Sequence, residues 1–361
     1  MTTPTSRYAA RLATLPHDAL LALAAMGCEQ SAAIRTAAEA SLAVHAPFPQ
    51  WACDKVLLSA DLLPQLLGWF ELEHHSVKGV CKAWRGVWAA TLEGRRALRP
   101  GPELVVPWAD FCLYGATPDG ERLMLSHEDR LHFLDRQMES KATVQIPANG
   151  IAVAQDFIVA THGSRITRYS YSGEELATAS PDDNVVCCPV LSSCGLLFCV
   201  CSDGDDSHDE IIAFDSHSLQ EQRRFGRGLL HFACGLAICG GELYVCDCYH
   251  DCIQVFSFTG ELLRAIRGEW LRPKCLLCVR DRLYVTELYD EVWDAYEDER
   301  PEGYSPEMAR RVFVISPAGE ALETYGLELE AGQRILRNVM AAFGENLVLG
   351  LQTKLVALRG L

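Results

Sequence analysis

The chain has no apolar run long enough to cross a bilayer. Its longest apolar stretch near the start, Ala19 to Met26, covers about a third of the roughly 20 residues that a membrane helix needs. Asp18 precedes it and no small-residue cleavage site follows, so neither a signal peptide nor a membrane anchor is expected. The first 17 residues contain no acid and carry Arg7 and Arg11, which leaves a transit peptide open. Lysine- or arginine-rich runs are also missing, and the net charge is -16. Phosphate backbones are held by clustered cations that release counterions, so nucleic acid is a poor fit as a partner. There is no G-x-S-x-G, no Walker loop and no H-E-x-x-H. Gly240-Gly241 reads as a hairpin turn rather than a phosphate cradle. No cofactor and no catalytic residue is expected on these grounds.

What is present is a repeat. Six segments line up: Leu131 to Asp135, Ile166 to Ser170, Ile211 to Asp215, Ile253 to Ser257, Val312 to Ser316 and Leu355 to Arg359. Each follows an apolar strand and a turn, and the best copy runs from Gly240 to Leu263. Their fourth positions, Leu134, Tyr169, Phe214, Phe256, Ile315 and Leu358, recur at 35, 45, 42, 59 and 43 residues. A period near 40–45 with several strands per unit marks a β-propeller. The sixth repeat, from Asn338, has room for three strands. Glu103 to Pro107 (ELVVP) is expected to supply the fourth and to close the ring, which removes free edges.

Ahead of the repeats the chain reads as helical. Residues 1–53 form a helical segment and linker, and residues 54–100 a second helical block. Leu62, Leu63, Leu66, Leu67 and Phe70, then Val77, Val80, Cys81, Trp84, Val87 and Trp88, recur at helical spacing. The fold class expected is therefore α+β multidomain: a helical N-terminal part and an all-β propeller over 101–361.

Sixteen cysteines are present, twelve of them between Cys187 and Cys278. Pairs such as Cys199 with Cys201 and Cys246 with Cys248 share one face of a strand. Free cysteine there acts as a small hydrophobe. All are read as reduced core residues, with a cytoplasmic or nuclear location and no disulfides. Convergence of Cys246, Cys248, Cys252, Cys275 and Cys278 on zinc is the alternative, but the Cys275-x-x-Cys278 pair lies in a strand rather than on a tight turn.

Two resemblances follow from these residues. VCKAWR, Val80 to Arg85, with the leucine-rich turns before it resembles an F-box; where that family has Leu-Pro, this chain has Leu58-Ser59. The resemblance covers about 40 residues. It implies docking on a Skp-type adaptor through Leu58, Leu62, Leu63, Leu66, Leu67, Val80, Cys81 and Trp84, in adaptor-facing or core roles. The repeat resembles the NHL family of six-bladed propellers. Asp247, His250, Ile253, Val255, Phe256 and Gly260 match its signature, with Tyr249 in place of the asparagine. F-box plus propeller resembles the substrate receptors of cullin-type ubiquitin ligases, which recruit a protein and do no covalent chemistry.

The loops between second and third strands are expected on one face. They carry His127, His162, His208 and His250, Asp247, and an acidic insertion with Tyr289, Trp293 and Tyr296. These are the candidate substrate-binding residues. With Asp203, Asp205, Asp206, Asp209, Glu210 and the acids from Asp290 to Glu299 there, the face is expected to be negative and to meet a protein substrate with a basic segment. Two alternatives stand. One is a lactonase-like hydrolase with a central divalent ion; the other is an interaction scaffold without a ligase. A bracing role for His250 within its own loop is the plainest reading of that residue.

Overall fold

The structure is a computed structural model. It describes residues 62–67, 86–87, 89–90, 92, 96–106, 108, 112–127, 130–181, 185–202, 209–287, 310–328, 335–351 and 354–361. The chain divides into two compact units, residues 1–97 with Gly360, and residues 98–359 with Leu361.

In the first unit one short helix, α1 (Leu62–Leu67), is described. Leu63 and Leu67, four apart and so on one face, are fully buried. The calls on Leu58, Val80, Cys81 and Trp84 lie outside the described residues, as do the side chains of Leu62 and Leu66.

Among its described residues the second unit holds 24 strands in six four-stranded antiparallel sheets. Blade 1 is β2 (Cys112–Ala116), β3 (Leu123–His127), β4 (Arg130–Leu134) and β5 (Ser140–Gln145). Blade 2 is β6 (Gly150–Val153), β7 (Ile158–His162), β8 (Arg165–Tyr169) and β9 (Glu175–Ala179). Blade 3 is β10 (Val185–Leu191), β11 (Leu196–Ser202), β12 (Glu210–Asp215) and β13 (Glu221–Phe225). Blade 4 is β14 (Ala233–Cys239), β15 (Glu242–Asp247), β16 (Cys252–Ser257) and β17 (Leu262–Arg267). Blade 5 is β18 (Pro273–Val279), β19 (Arg282–Glu287), β20 (Arg311–Ile315) and β21 (Ala321–Gly326). Blade 6 is β22 (Ile335–Phe343), β23 (Asn346–Leu351) and β24 (Leu355–Arg359), completed by β1 (Arg99–Leu104).

The six aligned segments are the third strands of the six blades. Burial follows position: second strands such as β15 and β19 are buried almost throughout, whereas the outermost β5 and β21 alternate exposed and half-buried residues. First strands contact one another in sequence around the ring, β22 meeting β2 at its end. Each gap between blades holds its own apolar cluster. Tyr284 and Leu347 lie between blades 5 and 6, Leu134 and Phe343 between 6 and 1, and Phe133 and Ile158 between 1 and 2. Ile166 and Phe214 fill the gap between blades 2 and 3, Phe198 and Phe256 that between 3 and 4, and Tyr244 and Phe313 that between 4 and 5. A β-sheet with two apolar faces must bury both, and closing the ring does so for every blade.

Two expectations need correction. The closing strand is Arg99–Leu104, about four residues earlier than ELVVP, and it pairs with β24 as the outermost strand. Pro100 and Pro102 are compatible with that strand because nothing pairs beyond it. A Cβ at Gly101 would stand 2.7 Å from the Ala357 carbonyl oxygen, so this glycine is inside the strand rather than a boundary. The cysteines are not all reduced: Cys239 of β14 and Cys278 of β18 form a disulfide between blades 4 and 5, Cα–Cα 5.8 Å. These first strands approach closely enough that a Cβ at Gly235 would lie 2.4 Å from the Lys274 carbonyl oxygen.

At the disulfide's end of this seam, where Cys239 pairs with Glu242, a polar group ties the blades as well. Arg264 donates to both Glu242 oxygens, at 2.9 and 2.6 Å, and to the Pro317 carbonyl at 3.0 Å. Tyr244 donates to Glu242 at 2.9 Å. The Arg264 hydrogen bond holds the Glu242 carboxyl below its ordinary value, and burial and Glu242 push Tyr244 up to about 12. A carboxylate depressed on folding stabilises above its unfolded pKa, and that contribution is lost as pH falls through its folded value. Urea midpoints should therefore fall more steeply below about pH 4.5 in the native chain than in Glu242→Gln. Gly235→Ala should lower stability by roughly 1–3 kcal/mol, the cost of overpacking, in denaturant unfolding.

Candidate functional site

The connections from second to third strands and the crossings into each next blade meet at one end of the ring, as shown by hydrogen bonds between them. Asp247, at the end of β15, is fully buried. Its Oδ1 accepts from the His231 backbone at 3.0 Å, and its Oδ2 contacts His250 Nδ1 at 2.8 Å and accepts from Gln254 Nε2 at 3.1 Å. One repeat later Glu287 does the same work. Its Oε1 accepts from the Leu271 backbone at 2.9 Å and from Arg311 at 2.6 Å. Burial pushes the Glu287 carboxyl up, opposed by the Arg311 hydrogen bond. His250 thus braces its loop, the plain reading of that residue.

Above this frame stands Tyr249, presented by a single 3-10 turn, Cys248–His250. It is exposed. Phe232 stacks on it with centroids 5.1 Å apart and planes at 19°. The Arg272 guanidinium lies 4.5 Å from its ring centroid, and His231 meets it edge-on at 4.7 Å. Lys274 Nζ sits 5.0 Å from the Phe232 ring. Phe232, Asp251 and Arg272 all have left-handed backbone, with φ of 55°, 50° and 50°. That conformation is costly for residues with a side chain and gathers at sites that need a particular presentation. Phe232 and Arg272 occupy the same place in successive repeats, each just before a first strand. Arg272 is fixed further by its backbone, which donates to Asp251 Oδ1 at 2.7 Å.

Of the described sequence candidates, Asp247 and His250 meet, whereas His127 and His162 belong to blades 1 and 2. His127 stacks with Trp108 at 5.5 Å, and Trp108 in turn packs on His132 at 4.2 Å. Burial, then His127 and Arg130, hold His132 below its ordinary value. His162 is exposed at the end of β7. His208, Tyr289, Trp293 and Tyr296 lie outside the described residues. Among the described residues no three His, Cys, Asp or Glu side chains could hold a metal ion. Of the acids counted in the sequence for this face, Asp209 and Glu210 are described. Asp209, Glu210, Asp247 and Glu287 are all buried. Asp209 accepts from the Ala233 backbone, and Arg224 pairs with Glu210 at 3.1 Å. The remaining acids counted in the sequence lie outside the described residues; at blades 4 and 5 the exposed Tyr249 is bordered by half-buried Phe232, Arg272 and Lys274. Tyr249 was noticed only as a departure from a signature. Phe232, Arg272 and Lys274 had no signal, since they come together only across blades.

A cavity of about 580 Å³ runs along the axis between the first strands. Ile151, Leu236 and Leu276 contribute its apolar wall; Thr117, Asp119 and Arg136 are polar lining residues from turns at the opposite end.

Asp247→Ala should cost about 1–3 kcal/mol, because it strands the buried donors that Asp247 now satisfies. Denaturant unfolding measures this.

No protein-family model matches the chain, and no curated protein sequence matches it. Solved structures do. A chain in "Crystal Structure of Mitotic Checkpoint Complex" is 11% identical with a TM-score of 0.50, covering 69% of this chain and 76% of that one. A chain in "Crystal structure of Nidogen/Laminin Complex" is 15% identical with a TM-score of 0.48, covering 68% and 83%. "Crystal structure of WD40 beta propeller domain of Doa1" is 13% identical with a TM-score of 0.48, covering 69% and 76%. At such identity the likeness is one of fold alone, and this chain is a six-bladed β-propeller.

Proposed function

We propose that this chain is a non-catalytic protein-binding subunit whose propeller captures a partner through the Tyr249 cluster. The observation that carries the reading is the cluster itself: an exposed tyrosine held between Phe232 and Arg272, both in left-handed backbone. Tyr and Arg are the side chains that most often anchor protein interfaces. Arg272 and Lys274 favour a partner segment carrying carboxylates. A metal-dependent hydrolase finds no ligand set among the described residues.

We further propose that this binding serves a cullin-type ubiquitin ligase, with residues 54–100 docking on a Skp-type adaptor. The support is VCKAWR at 80–85 with the leucine-rich turn that forms α1. The receptor would act by raising the local concentration of its captured protein.

The test is a paired binding assay. The full chain should bind a purified Skp-type adaptor, and a chain lacking residues 1–97 should not. The deletion stops at 97 because β1 completes blade 6. An acidic peptide should bind both, and Arg272→Glu or Tyr249→Ala should weaken it by tenfold or more, about 1.4 kcal/mol. A full chain that ignores the adaptor would overturn the ligase reading and leave a scaffold. Unchanged peptide affinity in both variants would remove the proposed face.

A further inference from the structure

Beneath the Tyr249 platform lies a group of thiols that the binding role does not use. Cys234, near the start of β14, and Cys248, just past the end of β15, are both buried, with Sγ atoms 2.8 Å apart. A disulfide bond needs about 2.05 Å, so a small approach would join them. The register explains the meeting. Ala233 pairs with Asp247 and a bulge follows between Ala233 and Leu236, which swings Cys234 toward the residue after Asp247. Cys248 Sγ donates to the Pro273 carbonyl at 2.9 Å, and Cys234 Sγ lies 3.2 Å from the Lys274 carbonyl. These carbonyls belong to blade 5, on the seam that the Cys239–Cys278 disulfide already crosses.

We propose that Cys234 and Cys248 form a peroxide-oxidisable dithiol built into the base of the binding face. The two thiols differ as the chemistry requires. Burial acts to raise Cys234, but hydrogen bonds from Cys246 and Cys248 and the Lys274 ammonium carry it well below the ordinary thiol value. Burial and Cys234 hold Cys248 well above that value. Cys234, the thiol carried down, is assigned the attack, and Cys248, 2.8 Å away, the resolving role. Cys234 attacks one oxygen of hydrogen peroxide; the O–O bond breaks, and the departing hydroxide takes a proton to become water. Cys234 is then a sulfenic acid. Cys248 gives up its proton and attacks the Cys234 sulfur, expelling the hydroxyl, which leaves as a second water. Two thiols and one peroxide yield one disulfide and two waters. Cys234 is only 5% exposed and Cys248 fully buried, which favours a small oxidant over a peptide disulfide.

The product would staple the strand that follows Phe232 to the turn that carries Tyr249. Detection of the bond itself does not depend on what the face binds.

The experiment uses the full chain, purified without reductant and exposed to dilute hydrogen peroxide. Free thiols are then alkylated and the denatured protein is cut with trypsin and a glutamyl endopeptidase. Cuts after Arg227, Glu242 and Glu261 place Cys234 in residues 228–242 and Cys248 in 243–261. Peroxide should create a cross-link between these two peptides and remove two alkylatable thiols per bond formed. Cys234→Ser and Cys248→Ser should abolish it, and Cys252→Ser, in the same peptide as Cys248, should keep it. Glutathione disulfide at equal concentration should form it at least tenfold more slowly. The link between 228–242 and 275–280, from Cys239 and Cys278, should be present throughout as an internal control. The proposal fails if Cys234 and Cys248 stay alkylatable in wild-type protein, if Cys234 goes on to sulfinic acid without a cross-link, or if its partner is Cys246. Thiol counting on the wild type decides the matter should a variant not fold.

Discussion

The pairing of β1 with β24 is the constraint on which the rest of this propeller depends. Blade 6 draws three strands from one end of the repeat array and its fourth from the other. Until that pairing forms, the outer edge of β24 is bare and the last blade is incomplete. Once it forms, every gap around the ring can hold an apolar cluster, and no blade is left with an uncovered face. The residues of β1 suit this task. Gly101 permits close approach to Ala357, and the two prolines lie where no further strand needs a donor.

Closure sets the distance between neighbouring blades, and that distance makes the candidate site. Tyr249 belongs to blade 4, whereas Arg272 and Lys274 lead into blade 5. Their contact exists because β14 and β18 run so close together that position 235 admits only glycine without a shift. The same proximity forms the Cys239–Cys278 disulfide and places the Pro273 and Lys274 carbonyls against Cys248 and Cys234. Buried acids complete the arrangement. Asp247 and Glu287 take up the backbone donors of the entering loops, so the loops hold their shape while their carboxylates are hidden from a ligand.

The architecture was legible because a strand repeat is written locally. Alternating apolar residues and hairpin turns announce each blade, and all six third strands lie where the pattern places them. The closing strand was legible in principle but not in register. Gly101 and Pro102 look like punctuation, and only the outermost position in a sheet makes them acceptable. Burial of charge was not legible: Asp209, Glu210, Asp247 and Glu287 read as surface acids until their partners are seen. The Tyr249 cluster and the thiol seam were invisible for a related reason. Phe232 and Arg272 are one repeat apart in sequence, and no local pattern shows that Tyr249 comes between them.

Amide hydrogen exchange of the full chain, resolved to short peptides, tests the closed ring most directly. If β1 completes blade 6, the amides of residues 99–104 that face β24 should be protected together with 355–359, and destabilising either strand should release both. Rapid exchange over 99–104 beside a protected β24 would contradict closure, and with it the spacing that brings Tyr249 and Arg272 into contact.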